Sequence, residues 1–170
     1  DSKFAPGACG FRPCLFSGPW KEAPLAVDIE RHARHILLKE IGGPGQKRLA
    51  KATVTIIGAG GLGAPAALYL AAAGVGRIRI ADPDAVSLDN LQRQILFRTR
   101  DVGRSKVERA AEALTDLDPA VKVEACAEQA GAGTLPGLLE GADLVLDGCD
   151  DFETRFAVND AAIAARLPLV

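Results

Sequence analysis

The sequence predicts an α/β fold: a mostly parallel sheet with helices on both faces. Three observations carry this. Short apolar runs at Val54–Ile57, Arg77–Ala81, Lys122–Ala127 and Asp143–Asp147 alternate with helical stretches, and such alternation requires parallel pairing. The 170 residues, 48% hydrophobic and 25% charged, suffice for one domain with a proper core. The first strand breaks into Gly58-Ala59-Gly60-Gly61-Leu62-Gly63, continues as a small-residue helix from Ala64 to Ala73, turns at Gly74-Val75-Gly76 and returns as a strand ending on Asp82. Strand, glycine turn, helix, strand and acid, in that order, form the fingerprint of a nucleotide-binding βαβ unit, so the expected fold is Rossmann-like.

Each residue of the fingerprint has a physical task. Gly58 reaches backbone angles closed to other residues, so a strand can turn tightly into a helix. Gly60 and Gly61 let a phosphate approach the main chain, and Gly63 lets the helix pack on the sheet. The helix start then offers unpaired N–H groups and a positive dipole end to an anion. Asp82 is placed to accept hydrogen bonds from ribose hydroxyls. A glycine-rich connection that binds nothing would account for the turn alone. It would not account for the flanking strands and the acid.

Taken in order, residues 1 to 27 are rich in Gly, Pro and Ala, show neither period, and are expected to be loosely ordered. Cys9 and Cys14 lack the two further ligands a zinc site needs. Residues 28–170 are expected to form the nucleotide-binding domain. An amphipathic helix is predicted from Asp28 to Ile41, with Ile29, Ile36, Leu37 and Ile41 on one stripe and Gly42-Gly43-Pro44-Gly45 as its stop. A short helix from Gln46 to Ala52 leads into the first strand. After Asp82 comes a long polar connection from Pro83 to Gln94, whose density of hydrogen-bonding groups favours function over plain linkage. Helices follow from Arg104 to about Asp116, around Thr134 to Leu139, and from Phe152 to about Arg166. The chain begins at Asp1 rather than Met, and Leu167-Pro168-Leu169-Val170 reads as the start of another buried strand. Both ends therefore predict a fragment, with the fold truncated at its C-terminus.

Charge and composition exclude several function classes. The net charge is −2 with no strong basic tract, so nucleic acid is not expected as the main partner. No apolar run approaches the roughly 20 residues that span a bilayer. The four cysteines form no C-x-x-C pair and no disulfide-dense spacing, which predicts a reducing, cytoplasmic setting.

In an open parallel sheet the ligand lies beyond the carboxyl ends of the strands. Three strand ends supply suitable groups: the glycine turn; Asp82 and Asp84; and Asp147, Asp150 and Asp151. Lys106 falls in the first turn of its helix, where a cation opposes the helix dipole by a few tenths of a kcal/mol, a conflict that a bound anion would remove. Arg93 lies in the polar connection, within reach of the same anion. Either alone would read as a solvated charge; together, after a phosphate turn, they read as phosphate ligands. Asp150 with Glu153 fits a capping box, and the strand-end position equally fits a magnesium ligand.

Arg31-His32-Ala33-Arg34-His35-Ile36-Leu37-Leu38 resembles the arginine-containing first helix of the MoeB/ThiF/HesA family, bacterial relatives of ubiquitin-activating enzymes. The resemblance extends through Gly58–Gly63, Asp82-Pro83-Asp84, Ser87–Gln94, Val102-Gly103-Arg104-Ser105-Lys106 and Asp147-Gly148-Cys149-Asp150-Asp151. It covers about Ile29 to Val170, and the Asn-Leu-Gln-Arg-Gln run is its most selective part. The resemblance implies an adenylyltransferase that uses ATP and Mg2+ to activate the C-terminal carboxylate of a small ubiquitin-like sulfur-carrier protein, in molybdopterin or thiamine biosynthesis. It places Gly61, with Gly58, Gly60 and Gly63, against the nucleotide and Asp82, with Asp84 beside it, at the ribose. It sets Asn90, Arg93 and Lys106 on the phosphates and Asp150 on the metal. It makes Arg34 the arginine inserted into a neighbouring subunit's site, hence a homodimer. Asp151 stands where the family usually carries asparagine. The family's zinc-binding C-x-x-C pairs and, in some members, a catalytic cysteine belong to its later half, so Zn2+ is expected only there; Cys149 reads as a small core residue. Two alternatives stand beside this reading. An NAD-dependent oxidoreductase explains the fingerprint but gives no task to Arg93, Lys106 and Asp150 together. A truncated nucleotide-binding domain would bind without turnover.

Overall fold

The computed structural model describes residues 27–170, and the expectation for the first 27 residues, with Cys9 and Cys14, falls outside them save for Val27. Four parallel strands form the sheet: β1 (Thr53–Ile57), β2 (Arg77–Ala81), β3 (Lys122–Cys126) and β4 (Leu144–Asp147), in the order β3-β2-β1-β4. The pairing is in register from Thr53 opposite Arg77, from Val54 opposite Leu144, and from Arg77 opposite Lys122. Val145 N–H donates to the Pro168 carbonyl at 2.9 Å and Val170 N–H to the Val145 carbonyl at 3.0 Å, so the last residues run parallel along the outer edge of β4. The Rossmann-like fold expected from the sequence is the fold observed.

The alternation along the strands shows why both faces carry helices. Val54, Ile56, Ile78, Ile80, Leu144 and Leu146 point to one face, where they pack against Ala64, Ala67 and Ala71 of α3 (Gly63–Ala72) and Val107, Ala110 and Leu114 of α4 (Lys106–Leu117). Ile57, Ala81 and Val145 point to the other, against Leu135 and Leu138 of α5 (Leu135–Leu139) and Val158 and Ala162 of α6 (Phe152–Ala165). Ile56, Ile78 and Leu114 are fully buried, each contributing about 1.5–3 kcal/mol by leaving water. The alanines of α3 have a second effect: without long side chains the helix lies close on β1 and stays near the glycine turn.

The second face also carries a buried cation. Arg79, 3% exposed, donates through Nη1 to the carbonyls of Leu138 at 2.6 Å and Glu140 at 2.9 Å, and through Nε to Glu124 at 2.6 Å. It satisfies carbonyls at the end of α5 that the short helix leaves unpaired.

The first segment departs from expectation. In place of one helix over 28–41, there is a turn and a single helical stretch, α1 (Ala33–Ile36). A stripe makes a helix only if it is buried against something, and Ile29 and Leu37 are 71% and 77% exposed. Gly42-Gly43-Pro44-Gly45 does not end a helix but opens one, α2 (Gly42–Lys51). Pro44 lies in its first turn, where the N–H has no intrahelical partner to lose. Gly45 and Gln46 are buried within α2, which explains the small residue there.

Candidate active site

The strand order reverses between β1 and β4, and the chain ends of these two strands meet. Gly58 has φ +90°, and a Cβ on it would lie 2.8 Å from the Gly148 carbonyl oxygen beyond β4. A Cβ on Gly63 would lie 1.8 Å from the Gly58 carbonyl oxygen. These three glycines weld the turn to the sheet. Gly60 and Gly61 differ: a Cβ there would meet only side-chain atoms, Gln94 Nε2 at 3.8 Å and Arg93 Cδ at 3.4 Å respectively. The four fingerprint glycines thus divide into a packed floor, Gly58 and Gly63, and an open surface, Gly60 and Gly61, at the start of α3.

Asp82 holds this turn from the end of β2. Its Oδ2 accepts the Ala59 N–H at 2.7 Å and its Oδ1 the Asp84 N–H at 2.8 Å. Burial raises its pKa, against the pull of those two N–H groups and of Lys106. Lys106 is the first residue of α4, and its Nζ lies 2.7 Å from Asp84 Oδ2 and 3.8 Å from Asp82 Oδ1. The anion that relieves the dipole conflict read from the sequence is therefore, in this state, the carboxylate of Asp84.

The polar connection is closed at its neck. Val86 N–H donates to the Arg104 carbonyl and Gly103 N–H to the Val86 carbonyl, both at 2.8 Å. This use of Arg104 delays the start of α4 to Lys106, two residues later than predicted. Inside the loop, Asp101 Oδ2 accepts the Arg98 N–H at 2.8 Å, and its Oδ1 pairs with Arg109 Nε of α4 at 2.9 Å. This buried pair fixes the loop bearing Asn90 and Arg93. The exposed Arg93 reaches back over Gly61, with Nη1 3.4 Å from the Asp89 carbonyl.

At the end of β4, Asp147 Oδ1 accepts the Cys149 N–H at 3.0 Å and the Cys149 Sγ–H at 2.6 Å. Burial first, then that carboxylate, push the thiol up to about 12, so it stays protonated. Cys149 is only partly buried and stands on the rim, not in the core as expected. Arg155 of α6 donates to the Cys149 carbonyl at 3.1 Å and fastens the segment.

The cap of α6 is not the Asp150–Glu153 box, one of the two readings the spacing left open for Asp150. Asp151 is the cap: its Oδ1 accepts the Thr154 N–H at 2.7 Å, which lowers its pKa. Its departure from the usual asparagine costs no cap, since either side chain can accept that N–H. Asp150 is left exposed beside the rim. Among the described residues no three His, Cys, Asp or Glu side chains are grouped to hold a metal unaided.

The structure brings Gly60, Gly61, Asp82, Asp84, Arg93 and Lys106 around one turn. It does not bring Arg34 there. His32, on the same short segment, packs over Gly74 and faces Asp118 at 3.9 Å, at the opposite edge of the sheet. Sequence reasoning quoted Gly148 and Gln94 within motif runs but gave neither a role; Gln94 is 3% exposed, with an Oε1 that has no partner among the described residues. A sealed carbonyl of that kind costs about 1–3 kcal/mol.

Residues 32–170 match the ThiF family. The probable adenylyltransferase/sulfurtransferase MoeZ of Mycobacterium tuberculosis is 46% identical over 143 residues, covering 84% of this chain and 36% of that protein. The sulfur carrier protein ThiS adenylyltransferase of Escherichia coli is 46% identical over 143 residues, covering 84% of this chain and 57% of that protein. Among solved structures, the E. coli tRNA N6-threonylcarbamoyladenosine dehydratase in complex with ATP superposes with a TM-score of 0.78 at 26% identity, over 83% of this chain and 58% of that one. The chain thus spans between 36% and 57% of the length of these two curated relatives.

Proposed function

The chain belongs to the ThiF family, and from that premise we propose that it binds ATP and, in the protein that carries it, adenylates the C-terminal carboxylate of a small ubiquitin-like sulfur-carrier protein. The product, an acyl-adenylate, is activated for sulfur transfer in molybdopterin or thiamine biosynthesis, in the cytoplasm. The observation that carries this reading is the open pair Gly60 and Gly61 at the start of α3, with Arg93 lying across it and Lys106 close by. A dinucleotide needs the glycines at its bridging pyrophosphate and an acid such as Asp82 at its ribose. A triphosphate also needs the cations.

The chemistry asks for no general base, since the attacking group is a carboxylate. Its oxygen attacks the α-phosphorus, the bond to the bridging oxygen breaks, and pyrophosphate leaves with that electron pair. Negative charge builds on the phosphate oxygens, and the N–H groups of the α3 start, Arg93 and Lys106 stabilise it. Lys106 exchanges the Asp84 carboxylate for a phosphate oxygen, and Asn90 donates to the phosphates from the fixed loop. Asp82 accepts from the ribose while bracing the turn. Cys149, held as a thiol, takes no nucleophilic part.

Mg2+ fits the same rim. Asp150 is exposed and outside the cap, and with no three-acid cluster among the described residues the remaining ligands would come from the phosphates and water, as magnesium sites commonly arrange. The ion supplies charge neutralisation when bound. Arg34 lies toward the other edge of its own sheet, so its action on phosphates requires a second copy, and we propose a homodimer on that ground.

Carrier-dependent exchange of pyrophosphate into ATP by the protein containing this chain tests the reading. Arg93→Ala and Asp150→Ala are expected to abolish exchange. Tight NADH binding with no response to ATP would favour an oxidoreductase instead.

A further inference from the structure

We propose that Gln94 is a further nucleotide contact, its carboxamide N–H donating to a phosphate oxygen seated at Gly60. The inference rests on the ATP reading above and extends it to the last residue of the Asn-Leu-Gln-Arg-Gln run, to which neither the resemblance nor the ion pairs had given a role. Gln94 is 3% exposed, and its backbone is held on both sides: its N–H donates to the Asn90 carbonyl at 2.9 Å, and its carbonyl accepts the Phe97 N–H at 3.1 Å. Leu96 and Phe97, both buried, anchor the turn that follows. The side chain is therefore placed before any ligand arrives.

Its two polar atoms are in unequal positions. Oε1 is sealed, with no partner among the described residues. Nε2 is the nearest atom to the space above Gly60, 3.8 Å from where a Cβ would stand. Among the described residues no acceptor is bonded to Nε2. A methionine of similar length would fill the same volume without burying an unmatched carbonyl, so packing alone gives no reason for an amide. An anion on the glycine turn gives one. Arg93 and Gln94 are consecutive, and they border Gly61 and Gly60 respectively. The arginine brings charge at the exposed border. The amide brings a directional donor at the buried border, without the desolvation that a second cation would suffer.

The test is calorimetric titration of the full chain with MgATP, paired with thermal melts, for the unsubstituted protein, Gln94→Met and Gln94→Glu. A phosphate contact predicts a Kd weakened about tenfold in Gln94→Met with an unchanged or higher Tm, because the sealed carbonyl is gone. Gln94→Glu, nearly isosteric, is expected to weaken binding further by facing the phosphate with a carboxylate. A lower Tm with unchanged affinity in either variant assigns Gln94 a packing role and overturns the proposal. Parent-like affinity in both variants overturns it as well, leaving the ATP reading standing. Failure of the unsubstituted protein to bind MgATP overturns both together.

Discussion

The two edges of the sheet use one backbone device for opposite ends. At the carboxyl rim, Gly58 turns the chain at φ +90°; at the amino edge, Gly74 ends α3 at φ +84°. Both positions are crowded, and both lie near a buried charged or titratable pair, Asp82 with Lys106 and His32 with Asp118. What fills the space is different. Over Gly74 the protein fills it itself: a Cβ there would meet Gln46 Nε2 at 2.5 Å and His32 Cε1 at 2.7 Å. Over the carboxyl turn, the floor is packed by Gly148 and Gly63, but among the described residues Gly60 and Gly61 are bordered by side-chain atoms of Gln94 and Arg93 alone. Glycine at the amino edge closes a structure. Glycine at the rim both closes one and leaves a surface for something else.

Substitution at these glycines breaks the comparison apart. Gly63→Ala has the largest expected effect, because its Cβ collides with backbone that cannot rotate away; a loss of about 3 kcal/mol or more, seen in thermal or urea unfolding, is expected. Gly74→Ala follows, at about 2 kcal/mol from its positive φ and from His32, with MgATP affinity of the folded fraction unchanged. Gly60→Ala is expected to reverse that pattern, with stability near the parent's and MgATP affinity reduced about tenfold by titration. Equal stability losses at Gly60 and Gly63 would erase the division into floor and surface.

A smaller effect separates the edges by pH. Burial lowers the pKa of His32 from its ordinary 6.5, partly offset by Asp118. Its folded form therefore favours the neutral ring. The stability this brings is present above pH 6.5 and is lost as pH falls through the lowered folded pKa. The Tm is expected to fall by a few degrees at most between pH 7.5 and 5.5, and less in His32→Gln. Asp82 runs the other way: its raised pKa contributes stability below its ordinary 3.8, lost as pH rises through the folded value. An equal acid response in the parent and His32→Gln would remove His32 from this account.

Much of the molecule was legible before folding. All four strands, and the helices from 63, 106, 135 and 152, stand within a residue or two of their expected places, because strong local apolar patterns and glycine punctuation decide them. The first segment was not, since its stripe is helical only if something covers it, and Ile29 and Leu37 are exposed here. Within the site, Asp82, Arg93 and Lys106 were readable from type and position. The Asp84 partner of Lys106 and the buried amide of Gln94 were not, because each depends on what a side chain faces across the fold; the cap at Asp151 rather than Asp150 and the thiol bonded to Asp147 were not, because neighbouring residues offer competing local bonds.

By itself, then, the sequence determined the order of elements, the rim where ligand-binding groups gather, and membership of a family of nucleotide-binding domains. These follow from periodicity and from glycines whose backbone freedom is local. Only the tertiary structure decided which glycines are floor and which are surface, which carboxylate neutralises Lys106, and which glycine the Gln94 amide borders. Those outcomes turn on distances between residues far apart in the chain, where a few tenths of an ångström separate a contact from a collision.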